Sequence, residues 1–367
     1  MTFVFFLTGE VVGGNELVIR SLMVRLNALG HRAIAIVAVW NESPFPGMLS
    51  AAGIEHHEVR LGRLYLRNYN WTRGTLYELP EAVRTIRAVV AEAKPAWVIM
   101  SEAQLLLLCS HIIPEPRRAL YMHTEPDWMM RNPVLGRIVA RRVEHVVCVS
   151  QYVARCVMRS PLRRARVSVV PNGTVVAGEP PRAAATSPVR LAIVGRVSEQ
   201  KQHLTLVRAM ALLKARLPAR SFCLDIVGSV DDGHVRLVEA EIARLGVAGL
   251  VRFVGFVAQP DRIYDCADIV VAPGLGEGFG LTLVEAGARG LPVVAARSGG
   301  FPEIVIDQMT GVLFEPENAE ALALALAPLI LDADLRRQLG EAARRRVRTE
   351  FTLDGMADRF LGAIGGA

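Results

Sequence analysis

The sequence predicts an α/β protein made of two Rossmann-like domains, each a doubly wound parallel sheet. Its 367 residues are long for one domain and suit two domains of roughly 170 to 190 residues, each able to bury its own core. Short apolar runs typical of buried parallel strands alternate with helical periodicity along the chain. A segment rich in proline and alanine near the middle interrupts this alternation and indicates a linker.

The first half begins with an apolar strand at residues 2–7. A glycine pair, Gly13 and Gly14, follows this strand and precedes an amphipathic helix that runs through Leu29. Another strand ends at His123, and further strand-like runs occupy residues 33–39, 97–100 and 145–149. We therefore predict a first domain over residues 1–173 and a linker over residues 174–188.

The second half repeats the alternation of strands and helices. Its predicted strands are residues 189–194, 222–227, 251–254, 268–273 and 292–295. Helical periodicity starts at about His203, at Leu281 and at Leu335. The second domain is predicted over residues 189–350, and a further helix over residues 351–364.

A glycine-rich loop between a strand and a helix contains two glutamates, Glu277 and Glu285, eight residues apart. Backbone N–H groups at such a turn can bind phosphate oxygens, assisted by the helix dipole. Two carboxylates would repel a phosphate placed directly on them, so neutral hydroxyls of a ribose and a sugar ring are better partners. The spacing suggests a nucleotide-sugar site, although an isolated glutamate pair is also compatible with two solvated charges.

Two other loops follow strands of the same half. Arg196 and Lys201 come after the strand at residues 189–194, and Lys201 is one of only three lysines among 42 basic residues. A guanidinium and an ammonium together suit a diphosphate, although a solvated turn is the alternative. The third loop, residues 298–303, reads Ser-Gly-Gly-Phe-Pro-Glu, and its paired glycines allow backbone to approach an anion closely.

These three loops, in this order, resemble the retaining glycosyltransferases of family 4. The resemblance extends to the GG-x-E sequence that starts at Gly13, to His123, and to the Pro-Asn-Gly sequence that ends at Gly173, so it covers nearly the whole chain. It implies the GT-B fold, in which two Rossmann-like domains face each other across a cleft and the C-terminal helix, here within residues 351–367, packs back on the first domain. The chain departs from the family pattern at Asn15, at Gly274, where many relatives have serine, and at Gly287, where a larger apolar residue is more usual.

The resemblance assigns roles residue by residue. Arg196 and Lys201 would bind the diphosphate and stabilise the charge of the leaving group. Glu285 would accept hydrogen bonds from the ribose, and Glu277 would hold the transferred sugar beside the backbone N–H groups of Gly278, Phe279 and Gly280. Glu277, His123, Arg196 and Lys201 are the predicted catalytic residues, and no protein nucleophile is expected. The remaining substrate-binding positions are Gly13 and Gly14 at the phosphates or acceptor, and Gly228 and Phe256 at the base.

The predicted activity is transfer of a hexose or N-acetylhexosamine from a UDP- or GDP-sugar to a hydroxyl acceptor, with retention of anomeric configuration. The acceptor is a sugar, a glycolipid or a small molecule, as in bacterial polysaccharide or glycolipid synthesis. The alternatives are a nucleotide-sugar epimerase or hydrolase of the same fold and a non-catalytic nucleotide-sugar-binding protein.

No cofactor and no metal ion are expected. The D-x-D sequence that begins at Asp332 is the only literal match to the metal-binding pair of other glycosyltransferases. It precedes a predicted helix, so an N-cap explains it. Arg196 and Lys201 can supply the positive charge that a metal would provide.

The net charge of +6 is distributed unevenly. Residues 1–180 contain 21 basic and 14 acidic residues, a net charge of +7, and the remainder has a net charge of −1. Arginine beside aromatic residues suits an anionic membrane surface or a phosphorylated lipid acceptor, but also an anionic sugar or ordinary solvation. No recognisable nucleic-acid module accompanies the charge. The candidate arginines are Arg60, Arg63, Arg67 and Arg73, near Tyr65, Tyr69 and Trp71, and Arg137, Arg141, Arg142, Arg163, Arg164 and Arg166.

Five cysteines without a C-x-x-C pair, and an apolar N-terminus without a basic flank, lead us to expect a reduced, cytoplasmic protein. Any membrane contact would be peripheral, at the inner face of the cell membrane.

Overall fold

The computed structural model describes residues 1–9, 12–39, 43–61, 69–103, 106, 117–176, 187–229, 232–257 and 261–365. The chain divides into two compact units. Unit 1 comprises Met1–Asn172 together with Leu353–Ala367, and unit 2 comprises Gly173–Thr352. One sheet forms the centre of each unit, and the strand pairs of both sheets are parallel. The predicted α/β class is confirmed.

Unit 1 contains a seven-stranded sheet in the order β3-β2-β1-β4-β5-β6-β7. The strand at residues 2–8, third in this order, is buried on both faces, and its residues 3–7 are at most 1% exposed, as expected for a parallel sheet covered by helices on each side. The strands are β1 Thr2–Thr8, β2 Arg32–Ala38, β3 Glu55–Val59, β4 Trp97–Met100, β5 Arg117–Met122, β6 His145–Cys148 and β7 Arg166–Val169.

Within the described part of unit 1, six helices connect these strands. The first begins at a glycine N-cap, where the Gly13 N–H donates to Glu16 Oε2 over 3.0 Å, and it buries apolar residues at helical spacing. A 3-10 turn follows the last of these helices at Pro161–Arg164. The helices are α1 Gly14–Ala28, α2 Phe45–Ala51, α3 Tyr69–Ala93, α4 Asp127–Arg131, α5 Pro133–Ala140 and α6 Gln151–Met158.

Unit 2 contains a six-stranded sheet in the order β10-β9-β8-β11-β12-β13. Its core is formed by apolar residues of the strands and of the helices that cover them. The strands are β8 Val189–Val194, β9 Phe222–Val227, β10 Val251–Gly255, β11 Ile269–Ala272, β12 Val293–Ala296 and β13 Val312–Phe314. The helices are α7 His203–Arg216, α8 Asp232–Arg244, α9 Asp261–Cys266, α10 Leu281–Ala288, α11 Phe301–Ile304, α12 Ala319–Leu331 and α13 Ala333–Glu350.

The strand order of unit 2 reverses between β8 and β11. From β8 the chain proceeds outward to β9 and β10, and it then returns to β11 on the other side of β8, where Ile269 pairs with Leu191. In open parallel sheets, ligands bind outside the carboxyl ends of the strands at such a switch point. The loops after β8 and β11 are therefore the topologically favoured ligand-binding loops of this unit.

The last helix, α14 Leu353–Gly365, belongs to unit 1. Its buried face contains Phe360, whose ring centroid lies 5.9 Å from that of Phe3, 6.1 Å from that of Phe5 and 6.0 Å from that of Tyr121. The residues before it form the end of unit 2 and contact its beginning, where the Thr174 N–H donates to the Phe351 carbonyl over 2.9 Å. Thr174 also forms a parallel β-bridge with Thr352.

Several predicted elements differ from the observed ones at their ends. The helix predicted from Leu335 begins at Ala333, and the helix predicted from residue 351 begins at Leu353. Residues 177–186 of the predicted linker lie outside the described residues. None of the described helices is both long and apolar enough to span a bilayer.

Candidate functional site

The loop after β8 turns sharply, so that the side chain of Lys201 lies against Gly195. Gly195 has a φ of 140°, and a Cβ built on it would lie only 3.0 Å from Lys201 Cε. A 3-10 turn at Glu199–Lys201 then leads into α7. Arg196 is exposed, and the described residues give it no ion-pair partner. This loop thus provides one half-buried and one exposed cation at the carboxyl edge of the sheet.

The loop after β11 lies directly against the loop after β8. The Leu275 N–H donates to the Gln200 carbonyl over 2.9 Å. A Cβ built on Gly274 would lie 3.2 Å from the same carbonyl oxygen, which is a tight contact. The close backbone approach explains why glycine suits this position, where the family pattern has serine.

The two loops bring Lys201 and Glu277 together. Lys201 Nζ lies 2.7 Å from Glu277 Oε1, and the two side chains are 25% and 19% exposed. Both side chains are partly exposed although Glu277 Oε1 itself is buried, so the pair contributes modestly to folding, roughly 1 kcal/mol. It does fix an ammonium and a carboxylate side by side at the switch point.

The Ser-Gly-Gly loop after β12 contacts the backbone at Gly276 and Glu277. The Gly300 N–H donates to the Glu277 carbonyl over 2.8 Å, and Ser298 Oγ accepts from the Gly276 N–H over 3.1 Å. Gly299 has a φ of 59°, and a Cβ there would lie 2.3 Å from the Glu277 carbonyl oxygen. This loop therefore positions the glutamate. Its paired glycines touch the neighbouring backbone.

Gly280 is the N-cap of helix α10, and its φ of 118° is readily adopted only by glycine. Phe279 is 5% exposed, and its ring packs edge-on against Phe351 at 5.8 Å between centroids, so the ring is not available to a ligand. Gly287 faces α13, and a Cβ there would lie 2.9 Å from Val347 Cγ2. Close packing of α10 on α13 thus accounts for the second glycine that departs from the family pattern.

Glu285 lies in the middle of α10, and its carboxylate is bonded by a tyrosine. The Tyr264 hydroxyl donates to Glu285 Oε2 over 2.6 Å. Tyr264 belongs to α9 and is 3% exposed. The sequence interpretation did not identify Tyr264, because 21 residues separate it from Glu285 and no motif links them.

The predicted base-binding positions also lie near the loop after β8. Gly228 follows β9 with a φ of 148°, and a Cβ there would lie 2.1 Å from the Gly195 carbonyl oxygen. Its N–H donates to the Gly255 carbonyl over 2.9 Å. The next residue, Phe256, is 72% exposed. An exposed ring beside this backbone can stack on a nucleobase.

The remaining predicted site residues belong to unit 1. His123 follows β5 and is 7% exposed, and its ring lies 4.5 Å from that of Tyr121 between centroids. The described residues give neither ring nitrogen a hydrogen-bond partner. Burial lowers the pKa of His123 to about 3, so the ring is neutral at physiological pH. Gly13 caps α1, and Gly14 is exposed at its first turn.

The D-x-D sequence acts as a helix cap. Asp332 Oδ1 accepts from the Asp334 N–H over 2.9 Å and from the Leu335 N–H over 3.0 Å, at the start of α13. Across the described part of the chain, no cluster of three or more histidine, cysteine, aspartate or glutamate residues has metal-binding geometry. The two acidic residues near the switch point are Glu277, which lies beside Lys201, and Glu285, which accepts from Tyr264.

Two protein-family models match the chain. One, described as Glycosyltransferase Family 4, matches residues 12–177. The other, described as Glycosyl transferases group 1, matches residues 180–346. Together they account for most of both units.

Similar curated proteins include a D-inositol 3-phosphate glycosyltransferase from Salinispora arenicola. It is 37% identical over 225 residues, which are 55% of this chain and 50% of that protein. The lipopolysaccharide core biosynthesis mannosyltransferase LpcC from Rhizobium leguminosarum bv. viciae is 36% identical over 174 residues, 46% of this chain and 48% of that protein. The chain thus spans about half the length of the curated relatives it matches.

Solved structures resemble the chain over its whole length. A glycosyltransferase from Rickettsia africae has a TM-score of 0.79 and 22% identity, covering 100% of this chain and 98% of that one. Anabaena Alr3699/HepE in complex with UDP-glucose has a TM-score of 0.81 and 19% identity, covering 100% of both chains. At this level of identity the similarity shows a common fold.

Proposed function

Because the chain belongs to glycosyltransferase family 4 and has the GT-B fold, we propose that it transfers a hexose or N-acetylhexosamine from a UDP- or GDP-sugar to a hydroxyl acceptor. The main support is the position of Lys201 beside Glu277 at the switch point of unit 2, with Glu285 on the following helix. A similar fold, that of Anabaena Alr3699/HepE, was solved with UDP-glucose.

The donor site combines cations with fixed carboxylates. Arg196 and Lys201 bind the diphosphate as a fork and a point charge, while Glu285 accepts from the ribose hydroxyls. Glu277 accepts from hydroxyls of the transferred sugar, and Phe256 with Gly228 lies against the base. Charge increases on the diphosphate as the glycosidic bond breaks, so the two cations stabilise the transition state more than the ground state.

The proposed reaction retains anomeric configuration without a protein nucleophile and without a metal ion. The acceptor hydroxyl attacks from the face that the diphosphate leaves, and the departing diphosphate accepts the hydroxyl proton. Glu277 favours the positive charge that develops on the sugar ring. His123 is neutral and buried, which suits hydrogen bonding to a sugar hydroxyl. The nearby cations provide the charge that a divalent metal provides in other glycosyltransferases.

The proposed acceptor is a hydroxyl of a sugar, glycolipid or small molecule in polysaccharide or glycolipid synthesis. One relative is named for D-inositol 3-phosphate and another for the lipopolysaccharide core. A lipid-linked acceptor would require the protein to reach a membrane. Unit 1 has a protein surface that suits binding to an anionic membrane.

That surface, here called the arginine face, lies on α4, α5, α6 and the turn at Pro161–Arg164. Val134 and Arg137 of α5 and its C-cap residue Arg141 follow one another at helical spacing, opposite the buried Gly136 and Val139. The turn at Pro161–Arg164 packs against both α5 and α6. The exposed arginines, which have no ion-pair partner within the described ranges, are Arg131, Arg137, Arg141, Arg159, Arg163 and Arg164.

Exposed apolar side chains lie among these arginines. Met130 is 52% exposed, Val134 66% and Met158 52%. Apolar side chains among cations suit an anionic lipid surface better than a soluble anion, because they can enter the headgroup region. We therefore propose peripheral binding to the inner face of the cell membrane. Of the other predicted basic segment, residues 62–68 lie outside the described residues, and Arg60 pairs with Glu78 at 3.7 Å.

The experiment that tests the proposed function is calorimetric titration with UDP- and GDP-linked hexoses and N-acetylhexosamines, followed by incubation of the best ligand with candidate acceptors. Binding with slow donor hydrolysis, and transfer when an acceptor is added, is the expected result. NMR of the product reads the anomeric configuration, and addition of EDTA tests the metal independence. Donor isomerisation without transfer would establish the epimerase alternative. Binding without any turnover would establish a non-catalytic protein.

A further inference from the structure

We infer that Tyr264 positions the Glu285 carboxylate for the ribose of the nucleotide and so makes the site select ribonucleotides over deoxyribonucleotides. This inference rests on the proposed function, because it assigns Glu285 to the ribose. Tyr264 is a positioning residue, since its hydroxyl contacts Glu285 and the inference requires no contact between Tyr264 and the nucleotide.

The contact between the two side chains has the geometry of a charged hydrogen bond. The oxygens of Tyr264 and Glu285 are 2.6 Å apart, within the range usual for a hydroxyl donating to a carboxylate. A phenol has a single hydrogen to donate, so the direction of the bond is fixed. The tyrosine ring is almost entirely buried, and therefore the hydroxyl is itself held in place.

A glutamate side chain has three rotatable bonds and loses conformational freedom when it binds a ligand. The bond from Tyr264 removes part of that loss before the nucleotide arrives, because Oε2 is already fixed. Oε1 is then presented in one orientation. A carboxylate has about four lone-pair sites and can therefore accept from ribose hydroxyls as well as from Tyr264.

A second contact joins the same two helices one turn further along α10. Arg289 Nη1 lies 2.9 Å from Asp265 Oδ1, and Asp265 is the residue after Tyr264. Consecutive residues of α9 therefore bond to Glu285 of α10 and to Arg289, the C-cap of that helix, four residues apart and on the same side. The two bonds together define the distance between α9 and α10, so the orientation of Glu285 is a property of the helix pair.

The test compares a nucleoside diphosphate with its 2′-deoxy analogue by calorimetry, using whichever of UDP and GDP binds the wild-type protein more tightly. The wild-type protein should bind the deoxy analogue about tenfold more weakly, since one hydrogen bond to a charged acceptor is lost. In Tyr264→Phe, binding of the ribonucleotide should weaken about tenfold while binding of the deoxy analogue changes less than about twofold. The ratio of the two dissociation constants should thus approach one.

Glu285→Gln is a second variant that keeps the side-chain shape, and it should reduce the ratio in the same way. Tyr77→Phe is the matched control, because Tyr77 is 83% exposed on α3 and should leave the ratio unchanged. In turnover, Tyr264→Phe should raise the donor KM with little change in kcat, as expected when binding is lost equally in the ground and transition states.

If Tyr264→Phe weakened the binding of both nucleotides equally, Tyr264 would have a merely structural role and the inference would be overturned. Unchanged binding of both nucleotides would overturn it as well. In both cases the wild-type protein still binds nucleotide and the proposed function stands. A native wild-type protein that binds neither UDP nor GDP would overturn the proposed function, and the inference with it.

Discussion

Lys201 Nζ and Glu277 Oε1 are 2.7 Å apart although 76 residues separate them in sequence. They meet because each belongs to a loop at the carboxyl end of one of two adjacent strands, β8 and β11. Without nucleotide, the ammonium is partly neutralised by the carboxylate. An incoming diphosphate therefore shares Lys201 with Glu277, and the exposed Arg196 supplies the additional positive charge.

Replacement of Lys201 by alanine should reduce transfer at least about 100-fold, since a charged donor to the leaving diphosphate is lost. The free energy of unfolding should fall by only about 1 to 2 kcal/mol, because both side chains are partly exposed although Glu277 Oε1 loses its cation at a buried position. Initial rates and thermal denaturation measure the two effects. Lys214→Ala is the matched control, since Lys214 is an exposed lysine of α7 that donates to the Gly246 carbonyl. Wild-type rates in Lys201→Ala would refute the assignment of this residue.

Two glycines within helices should respond oppositely to alanine. A Cβ on Gly340 in α13 would lie 1.9 Å from the Gly290 carbonyl oxygen, so Gly340→Ala should destabilise unit 2 by about 2 kcal/mol or more. A Cβ on Gly362 in α14 meets nothing within 4 Å, and Gly362→Ala should stabilise its helix by about 0.5 to 1 kcal/mol. Urea denaturation followed by circular dichroism measures both. Similar effects of the two substitutions would contradict the close packing of α13 on the turn after α10.

Acid should destabilise the protein partly through His203. Burial lowers the pKa of His203 to about 4, below its ordinary value of 6.5, so the folded protein binds fewer protons than the unfolded chain between these values. The contribution to stability is complete above pH 6.5 and is lost as the pH falls towards 4, by up to about 1.4 kcal/mol per pH unit. His203→Gln should flatten the pH dependence by this amount in denaturation series at pH 7.5, 6.5, 5.5 and 4.5. Parallel curves for wild type and variant would show that His203 is not buried as a neutral ring.

Binding to anionic vesicles should depend on the arginine face. Arg137→Glu with Arg141→Glu should weaken binding to phosphatidylglycerol vesicles at least about 30-fold, given roughly 1 kcal/mol per arginine near the surface. Arg345→Glu with Arg348→Glu is the matched control, since it changes the net charge equally on exposed positions of α13. Cosedimentation in low and high salt measures the binding. Equal losses in the two double variants would indicate a response to net charge alone.

The predicted GT-B fold and the membership of family 4 are confirmed, and the approach of the loops around Lys201 and Glu277 was also accessible from sequence. Their strands are continuous apolar runs, and short loops after parallel strands necessarily emerge at one edge of the sheet. The resemblance identified the residues, and the strand order explains why they lie close together. The individual roles of these residues stay predictions.

Other features could not be predicted because they depend on tertiary contacts. The edge strand β3 reads Glu-His-His-Glu-Val, and its polar sequence lacks the apolar signal of a buried strand. The bond from Tyr264 to Glu285 requires the packing of α9 on α10, which no sequence spacing specifies. The glycines at 274 and 287 looked like departures from a pattern, whereas they allow the close approach of Gln200 and Val347.

Because Thr174 pairs with Thr352, the two chain segments that begin and end unit 2 lie side by side. A gene fragment encoding residues 173–352 therefore yields this unit as one uninterrupted polypeptide whose ends could be ligated into a circle. Unit 1 lacks that independence. Truncation before α14 would uncover the aromatic rings of Phe3, Phe5 and Tyr121, so during synthesis the N-terminal part of unit 1 cannot bury these rings against Phe360 until α14 has been translated.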